Sequence, residues 1–386
     1  MKILLVSMPS VHAIRWIENL KDTNFELYWF DVLDKGKLDT IYTVKQFTDW
    51  KKRKLPYIKG EYFLSKKAPV LYQKIVPFLE ITANEALENI ILELQPDIIH
   101  SFEMQHCTYP ILKTMRKFSK IKWLYSCWGN DLFHYRQFPN HLKEIKKVLK
   151  RIDFFHTDCF RDFKIANEIG FFGNFIDVIP GGGGYKLAKN DKFKLPTKER
   201  KIILVKGYQH DLGRGLNVVK ALYEIENQIQ NYEVVIFGAH QPVINYIMEN
   251  NIHFKFYSRN ELSVDQLMAL MGKSLIYIGN SISDGIPITL LESIIMGAFP
   301  IQSNPGGATE EIIEDGCNGC LILDAENISE IKSLVLKTIN APNLFEIAFK
   351  LNSKIAIDKL SYKSNQTKIV NAYKLVYASK SNINCN

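Results

Sequence analysis

Two carboxylates lie close together in a stretch whose turn and helix signals can build a ligand site. Asp284 and Glu292 are separated by seven residues, and a Gly-Ile-Pro turn at 285–287 between them opens an apolar run. This order predicts one acid on a loop at a helix N-terminus and the other about two turns into the helix, since about 3.6 residues make a turn. Helix N-termini attract phosphate, and carboxylates accept hydrogen bonds from hydroxyls. The stretch therefore favours a polyhydroxylated anion as ligand, and a nucleotide sugar fits that description.

Both acids also have a purely structural interpretation. Asp284 can be the N-cap of the following helix, a role that is compatible with ligand binding. Glu292 can be a solvated helix residue, but its apolar neighbours predict a largely buried helix, in which an idle carboxylate is unexpected. These neighbours are Leu290, Leu291, Ile294 and Ile295.

Short apolar segments alternate with helical segments along the chain, which predicts an α/β fold. Near-continuously apolar strands that are joined by helices indicate parallel sheets covered on both faces. The segment 35–75 is polar and is expected to be irregular. Strands are expected at 3–6, 25–30, 97–101, 123–128, 154–158 and 177–180, and again at 201–207, 233–238, 253–257, 274–279 and 299–303.

Four glycines at 181–184 and a polar stretch at 186–200 mark a boundary between two such patterns. The chain length also suits two domains. We predict two Rossmann-like, doubly wound domains that face a central cleft. They are expected at 1–185 and 201–360, with a linker at 186–200 and a C-terminal helix in 361–386 that can cross back to the first domain.

This architecture also predicts where a ligand binds. In open parallel sheets, ligands lie beyond the carboxyl ends of the strands. The loops after the predicted strands are therefore the candidate site, and they cover residues 7–12, 128–131, 181–184, 207–214, 281–284 and 305–307.

Composition and cysteine spacing exclude several classes of protein. The 386 residues contain no run of about 18 apolar residues, and the N-terminus lacks the features of a signal peptide, so we expect a cytoplasmic protein. Six cysteines, of which Cys385 is the last, show no disulfide framework. Cys317 and Cys320 form a CxxC without a second ligand pair, which favours turn and strand residues over zinc ligands. No P-loop and no dinucleotide fingerprint occurs.

The net charge of +8 resides in the first half of the chain. Residues 1–190 hold 29 Lys and Arg against 21 Asp and Glu, whereas residues 191–386 hold 20 of each. The basic runs at 51–54 and 143–151 suggest an anionic partner, such as the inner face of a membrane or an anionic glycolipid, for peripheral contact. A solvated basic face is the alternative. Nucleic acid is not expected, because aromatic-basic binding motifs are absent.

The spacing of the second half resembles a known family. Ser281, Asp284 to Pro287 and Glu292, followed by Gly306-Gly307 and the Asp-Gly-x-Asn-Gly turn at 315–319, are similar to the donor domain of family 4 (group 1) glycosyltransferases. The resemblance is strong over about 200–325 and rests on a few short stretches over 1–185. It implies a retaining enzyme of the GT-B fold that uses a nucleotide-diphosphate sugar.

The resemblance implies individual roles in donor binding. Glu292 matches the acid that bonds the ribose hydroxyls, and Asp284 matches the acid that contacts the donor sugar, although the family has Glu there. Gly285 and Ile286 match positions whose backbone N–H groups face the sugar and phosphate. Pro287, Ser281, Tyr208, Gly306 and Gly307 complete the expected donor-binding set.

Two departures from the family pattern concern the diphosphate and the reacting carbon. Arg214, before Gly215, matches a family lysine, but Tyr208 stands where the family has arginine, so Lys206 is the candidate for the missing cation. In the first domain, Trp128-Gly129-Asn130-Asp131 resembles a loop that often reads His-Gly-x-Asp, with tryptophan in place of the histidine. Asp131 then joins Asp284, Arg214 and Lys206 as the catalytic candidates, and Ser7, His12, Trp128, Gly129 and His134 are the acceptor-side candidates.

The expected reaction is sugar transfer to a glycan or lipid-linked acceptor in bacterial surface polysaccharide or lipopolysaccharide synthesis. The departing diphosphate would be stabilised by fixed cations, so neither a metal nor another cofactor is expected. Two alternatives stay open: a sugar-nucleotide epimerase or hydrolase of the same fold, and a non-catalytic sugar-nucleotide-binding protein, which Trp128 and Tyr208 would suit.

Overall fold

The computed structural model describes residues 1–379, so Cys385 and the end of the predicted 361–386 helix lie outside the described residues. The chain divides into two compact units. Among the described residues, the first unit comprises 1–157, 163–177 and 368–379, and the second comprises 158–162 and 178–367.

A seven-stranded sheet forms the centre of the first unit. Its strands are β1 (Lys2–Ser7), β2 (Glu26–Asp31), β3 (Lys45–Phe47), β4 (Ile98–Phe102), β5 (Lys122–Cys127), β6 (Phe154–Thr157) and β7 (Asn174–Val178), in the order β3-β2-β1-β4-β5-β6-β7. Neighbours from β3 to β6 pair in parallel. Strands β1, β4 and β5 are buried over nearly all their length, as expected for a sheet that is covered on both faces.

Helices surround this sheet in the manner that the alternating pattern predicts. They are α1 (Val11–Leu20), α2 (Glu61–Lys67), α3 (Pro69–Leu79), α4 (Ala83–Leu94), α5 (Leu112–Lys117), α6 (Asn130–Phe133), α7 (Pro139–Leu149) and α8 (Phe160–Glu168). A single turn of π-helix, Met104–Thr108, follows β4.

The segment 35–75 differs from its prediction as an irregular insertion. It contains β3, α2 and most of α3. Glu61 is the buried residue of α2 and Leu79 that of α3. A helix that buries almost no apolar side chain has no core-facing periodicity, so the sequence pattern could not reveal it.

The second unit contains a six-stranded parallel sheet. Its strands are β8 (Ile202–Lys206), β9 (Glu233–Ala239), β10 (Lys255–Ser258), β11 (Ser274–Gly279), β12 (Phe299–Ser303) and β13 (Cys320–Ile322), in the order β10-β9-β8-β11-β12-β13. The strand order reverses direction between β8 and β11, which is where ligands of such sheets bind. Two Rossmann-like sheets in one chain confirm the predicted α/β class.

The helices of the second half follow the same alternation. They are α9 (Leu187–Asp191), α10 (Gly215–Glu224), α11 (Gln241–Glu249), α12 (Val264–Lys273), α13 (Ile288–Met296), α14 (Ile328–Ile339), α15 (Asn343–Ile355) and α16 (Tyr362–Ala378). Helix α9 and a 3-10 turn, Thr197–Glu199, occupy much of the predicted linker at 186–200. Among residues 1–379, no helix has the length and hydropathy that crossing a bilayer requires.

Candidate functional site

Helix α13 holds Glu292 in the interior of the second unit. The helix begins at Ile288 after the N-cap residue Pro287, so Glu292 lies little more than one turn into it rather than two. Only 6% of Glu292 is exposed. Asp284 precedes the cap, and its Oδ1 accepts a 3.0 Å hydrogen bond from the N–H of Gly285. The N-cap interpretation of Asp284 is therefore wrong, whereas burial of Glu292 agrees with the apolar neighbours in the sequence.

Arg161 fastens the loop that carries Asp284. Its Nη1 donates to the backbone carbonyl of Asp284 at 2.9 Å and to that of Pro305 at 2.6 Å. Its Nη2 forms an ion pair with Asp162 at 2.8 Å, and both side chains are buried. Arg161 thus links the loop before α13 to the loop after β12. The sequence analysis missed it, because no local signal distinguishes Arg161, near the start of α8, from a surface arginine.

Gly285 is required by a close approach to Asp158. A Cβ at position 285 would lie 2.4 Å from Oδ2 of Asp158, closer than any side chain tolerates. Both residues are buried, so a carboxylate packs directly against the loop that is expected to face the donor sugar. Asp158, which directly follows β6, is another residue that the sequence analysis did not select.

A cavity of about 220 Å³ opens at the carboxyl ends of β11, β12 and β13. The backbone N–H of Ser281 donates to Oγ of Ser303 across its floor, at 2.9 Å. Gly306 and Gly307 adopt left-handed backbone conformations with φ of 62° and 83°, which explains the glycine pair. The lining residues are Ser281, Ile282, Ser303, Asn304, Pro305, Ile322, Leu323, Asp324 and Ala325.

Two buried amide oxygens lie close to this cavity. Oδ1 of Asn280 and Oε1 of Gln302 have no hydrogen-bond partner within residues 1–379. Asn280 precedes Ser281 and Gln302 precedes Ser303, both of which line the cavity. Buried acceptors without a partner are costly, so a ligand or water that donates hydrogen bonds would stabilise this edge of the sheet.

Two cationic side chains flank Tyr208, which stands where the family has an arginine. The Nζ of Lys206 lies 4.8 Å from the centroid of the Tyr208 ring, and the guanidinium carbon of Arg259 lies 5.7 Å from it. The ring also stacks on His240 with 5.1 Å between centroids. Burial lowers the pKa of the nearby His210, and His240, Lys206 and Arg259 lower it further. The loop after β8 is therefore electropositive although the family's arginine is absent.

Arg214 stands at the start of α10 and is already held by the loops around it. Its Nε donates to the carboxylate of Glu326, and its Nη1 donates to the carbonyls of His210, Asp211 and Gly213 at 3.0 to 3.1 Å. Its backbone N–H donates to the carbonyl of Asn280 at 2.9 Å. The guanidinium is thus fixed in place beside the residues that follow β8 and β11.

In the first unit, Asp131 stabilises the loop at 128–131 from the inside. Its carboxylate accepts hydrogen bonds from the hydroxyl of Tyr125, from Sγ of Cys127 at 3.0 Å and from the N–H of Trp128 at 2.9 Å. Only 2% of the residue is exposed, and burial raises its pKa. These contacts show a positioning function, and the catalytic role expected for Asp131 stays a prediction.

The acceptor-side candidates of the first unit make different kinds of contact. His12 and Trp128 stack with 4.7 Å between ring centroids, and Gly129 has φ of 89° at the start of α6. Ser7 is fully buried and its Oγ accepts a 2.9 Å hydrogen bond from Nε1 of Trp29, so its side chain serves the interior. The ring of His134 packs edge-on against Tyr135 and Phe138.

Glu103 is a buried carboxylate that the sequence analysis did not single out. It follows β4 with φ of 61°, and it accepts hydrogen bonds from the N–H groups of Gln105 at 3.0 Å and His106 at 2.6 Å. Burial raises its pKa, and the nearby Asp131 raises it further. A left-handed non-glycine residue is rare, and here its own side chain bonds stabilise the conformation.

Comparisons with known proteins agree with this geometry. The model of the group 1 glycosyl transferases matches residues 187–354, and that of glycosyl transferase 4-like domains matches residues 2–160. An uncharacterized glycosyltransferase of Methanocaldococcus jannaschii is 26% identical over 165 residues. That match covers 42% of this chain and only 41% of the relative.

Solved structures resemble the chain over its whole length. Sucrose-phosphate synthase of Thermosynechococcus elongatus has a TM-score of 0.71 at 14% identity, over 98% of this chain and 100% of that one. Anabaena HepE, solved in complex with UDP-glucose, has a TM-score of 0.65 at 12% identity, over 97% and 100%. Such identities show the fold alone. The two family models, which together match most of the chain, show that it belongs to the group 1, family 4 glycosyltransferases, and the solved structures show the GT-B fold.

Proposed function

We propose that this protein transfers a sugar, with retention of anomeric configuration, from a nucleotide-diphosphate sugar to a hydroxyl of a glycan or glycolipid. The observation that carries the proposal is the buried carboxylate of Glu292, which lies just after the Asp284–Pro287 loop on the same helix start. This short element thus presents a carboxylate that can accept hydrogen bonds from sugar hydroxyls and a helix N-terminus that can bind an anion. HepE, which shares the fold, binds UDP-glucose.

The diphosphate would bind where the cations gather. Lys206 and Arg259 flank Tyr208, and Arg214 is fixed at the start of α10. Fixed charges of this kind stabilise the negative charge that develops on a departing phosphate without reorganising during the reaction. Arg214, Lys206 and the backbone of Gly285 are the groups that we assign to this task.

The chemical step follows from the family resemblance. The bond between the anomeric carbon and the phosphate oxygen breaks, and the acceptor oxygen bonds to the same face of the carbon. The acceptor's proton passes to the departing phosphate, so no protein base is needed. Asp284 would orient the sugar, and His12, Trp128, Gly129 and His134 would contribute to the acceptor side.

We propose that the reaction needs no metal ion. The protein's own cations can balance the diphosphate. Within residues 1–379, the side-chain group that could hold a metal, Asp158, Cys159 and Asp162, already pairs with Arg161 through Asp162. Activity should be unchanged after dialysis against EDTA, and dependence on added Mg²⁺ or Mn²⁺ would contradict this assignment.

The proposed setting is synthesis of a bacterial surface polysaccharide or lipopolysaccharide at the inner face of the membrane. The excess positive charge of the first half of the chain supports an acceptor that is carried on an anionic surface. Incubation with radiolabelled donor and extracted membrane lipids should label a lipid fraction. Label that appears only in free glycan would place the acceptor in solution.

Calorimetry with UDP, GDP, UDP-glucose and GDP-mannose tests the donor site directly. Glu292→Gln should weaken binding of the preferred nucleotide by about tenfold or more, since hydrogen bonds to a charged group contribute about 1.5–3 kcal/mol. Glu249→Gln, at the exposed end of α11, is the control and should bind as wild type. Equal affinity in the Glu292 variant would remove the assignment.

Product analysis separates the remaining functions. A glycosyltransferase consumes donor in proportion to acceptor, whereas an epimerase or hydrolase acts on the donor alone. A sugar-nucleotide-binding protein without activity would bind the donor and leave it intact in the presence of every acceptor fraction.

A further inference from the structure

The largest concentration of exposed apolar side chains lies on α2, α3 and the loop before them. We refer to residues 51–80 as the α2–α3 hairpin. Tyr62, Phe63 and Phe78 are 77%, 66% and 73% exposed. A soluble domain rarely exposes so many large apolar groups together, so this surface is expected to be covered by a partner. The exposed residues are Leu55, Tyr57, Ile58, Tyr62, Phe63, Val70, Leu71 and Phe78.

A polar clamp inside the hairpin, instead of an apolar core, connects the loop at 51–60 to α2 and α3. The Glu61 carboxylate accepts from Nη1 and Nη2 of Arg53 at 2.5 and 2.8 Å, and from the hydroxyl of Tyr72 at 2.8 Å. Arg53 lowers the pKa of Glu61 to about 2, so the clamp stays charged at neutral pH. The hairpin is thus ordered by polar contacts, and its large apolar side chains stay exposed.

The same segment has a strong excess of positive charge. Residues 51–80 contain eight Lys and Arg and two acids, Glu61 and Glu80, a net charge of +6, and the whole chain has a net charge of +8. Lys66, Lys67 and Lys74 are exposed among the apolar groups, and Nζ of Lys66 lies 5.8 Å from the Tyr62 ring. Aromatic and aliphatic side chains that are interspersed with lysines match a bilayer interface with anionic headgroups.

We propose that the α2–α3 hairpin docks on an anionic phospholipid bilayer, with its aromatic side chains in the interface and its lysines against the headgroups. The inference refines the proposed function, because it rests on an acceptor that is carried by a membrane. A second copy of the chain is a poor occupant, because two such strongly positive surfaces repel each other.

The structure also identifies which basic residues take part. Arg53 is committed to Glu61, and Nζ of Lys54 donates to the carbonyl of Pro77 at 2.8 Å and to Glu85 at 2.6 Å. Half of the basic run at 51–54 therefore supports the fold. Variants that test docking should change Lys66, Lys67 and Lys74 and leave Arg53 and Lys54 intact.

Vesicle sedimentation of the full chain tests the proposal. Vesicles of equal parts phosphatidylcholine and phosphatidylglycerol are compared with vesicles of phosphatidylcholine alone. Wild type should bind the anionic vesicles and be lost at high salt. The apolar variant Tyr62→Ser/Phe63→Ser/Phe78→Ser should bind at least about tenfold more weakly. The charge variant Lys66→Gln/Lys67→Gln/Lys74→Gln should bind about a hundredfold more weakly, since each lysine near an anionic surface contributes about 1 kcal/mol.

Two control variants match these changes elsewhere on the surface. Phe172→Ser/Met248→Ser/Val264→Ser removes three exposed apolar side chains, and Lys350→Gln/Lys354→Gln/Lys359→Gln removes three exposed lysines. Both controls should bind vesicles as wild type. A Tyr62→Trp variant should show a blue-shifted emission on adding anionic vesicles, which a Phe172→Trp variant should not.

Several outcomes would overturn the inference. These are a wild type that ignores anionic vesicles, an apolar variant that binds them equally well, and a dimer in sedimentation that the apolar variant abolishes. Nucleotide affinity, measured by calorimetry on the same variants, should not change. A wild type that binds nucleotide but not anionic vesicles would thus contradict only the docking inference, whereas a wild type that binds no nucleotide would contradict the proposed function.

Discussion

The guanidinium of Arg161 donates a 2.9 Å hydrogen bond to the backbone carbonyl of Asp284. The same nitrogen bonds the carbonyl of Pro305 at 2.6 Å, so one buried side chain sets the spacing between the loop before α13 and the glycine loop after β12. Asp162 balances its charge. The donor loops therefore depend on a residue that has no expected contact with the donor itself.

Replacing Arg161 should loosen the donor loops. Arg161→Lys keeps the charge but loses the planar fork, so it cannot bond both carbonyls and Asp162 together. We expect UDP affinity to fall by about tenfold and stability by about 1–3 kcal/mol, the cost of unsatisfied buried groups. Calorimetry and urea unfolding measure the two effects.

Arg116→Lys is the matched control, because Arg116 is exposed and makes one long hydrogen bond, 3.4 Å, to the carbonyl of Lys147. It should retain both stability and affinity. If Arg161→Lys has the same free energy of unfolding as wild type and binds UDP as tightly, the loops are positioned without Arg161.

The cations beside Tyr208 should bind the diphosphate. Lys206→Met and Arg259→Gln should each weaken UDP binding by about tenfold, since a hydrogen bond to a charged group contributes about 1.5–3 kcal/mol. Uridine, which lacks phosphate, should bind both variants as it binds wild type. Calorimetry with the two ligands isolates the phosphate contribution.

Lys220 provides a matched control for Lys206. Its Nζ lies 5.4 Å from the ring of Tyr246, a similar pairing of lysine and tyrosine within the same unit. Lys220→Met should leave UDP affinity unchanged. A Lys206→Met variant that loses uridine and UDP binding equally would indicate a general change of the loop rather than a lost phosphate contact.

The sequence predicted five of the six strands of the second unit to within a few residues and missed β13. The segments expected at 233–238 and 274–279 are β9, Glu233–Ala239, and β11, Ser274–Gly279. Strands that are buried on both faces must be nearly continuous in apolar residues, so the local sequence alone identifies their positions. The burial of Glu292 was predictable because its neighbours on α13 are apolar.

The contacts that hold the site together were not predictable. Arg161 reaches Asp284 and Pro305, which lie far away along the chain, and nothing local distinguishes it from a surface arginine. The flanking of Tyr208 by Arg259 likewise depends on how two separate post-strand loops meet. Such contacts are set by sheet order and register, which a single sequence does not contain.

Two buried histidines should make the first unit sensitive to acid. His100 bonds Tyr373 at 2.6 Å and Ser126 at 2.5 Å, and Ser126 also bonds His156. Burial lowers the pKa of His156 to about 4 and that of His100 well below its usual value. In the unfolded chain both would titrate near pH 6.5, so the unfolded state binds protons first as the pH falls.

Stability should therefore be complete above about pH 6.5 and should decline as the pH falls from there toward about 4. Each histidine contributes a slope of about 1.4 kcal/mol per pH unit within that window. Urea unfolding at pH 7.5, 6.5 and 5.5 measures the slope. His156→Phe, which keeps an aromatic ring against Trp16, should reduce it, whereas the exposed His253→Gln should not. An unchanged slope in His156→Phe would contradict the assignment.

Asp284 and Glu292 should separate sugar recognition from nucleotide recognition. Asp284 lies on the loop before α13 with Oδ1 bonded to the N–H of Gly285, whereas Glu292 is buried one turn inside the helix. Asp284→Asn preserves the shape of the side chain but removes its charge. UDP affinity should stay within about twofold of wild type. The affinity for intact UDP-sugar should fall by about tenfold, as expected when one charged hydrogen bond is lost. Glu292→Gln should weaken both ligands alike, because both carry the ribose. Calorimetry of each variant with UDP and with the preferred UDP-sugar tests the distinction. If Asp284→Asn weakened UDP as strongly as UDP-sugar, Asp284 would act on the nucleotide, and the division of tasks between the two carboxylates would be wrong.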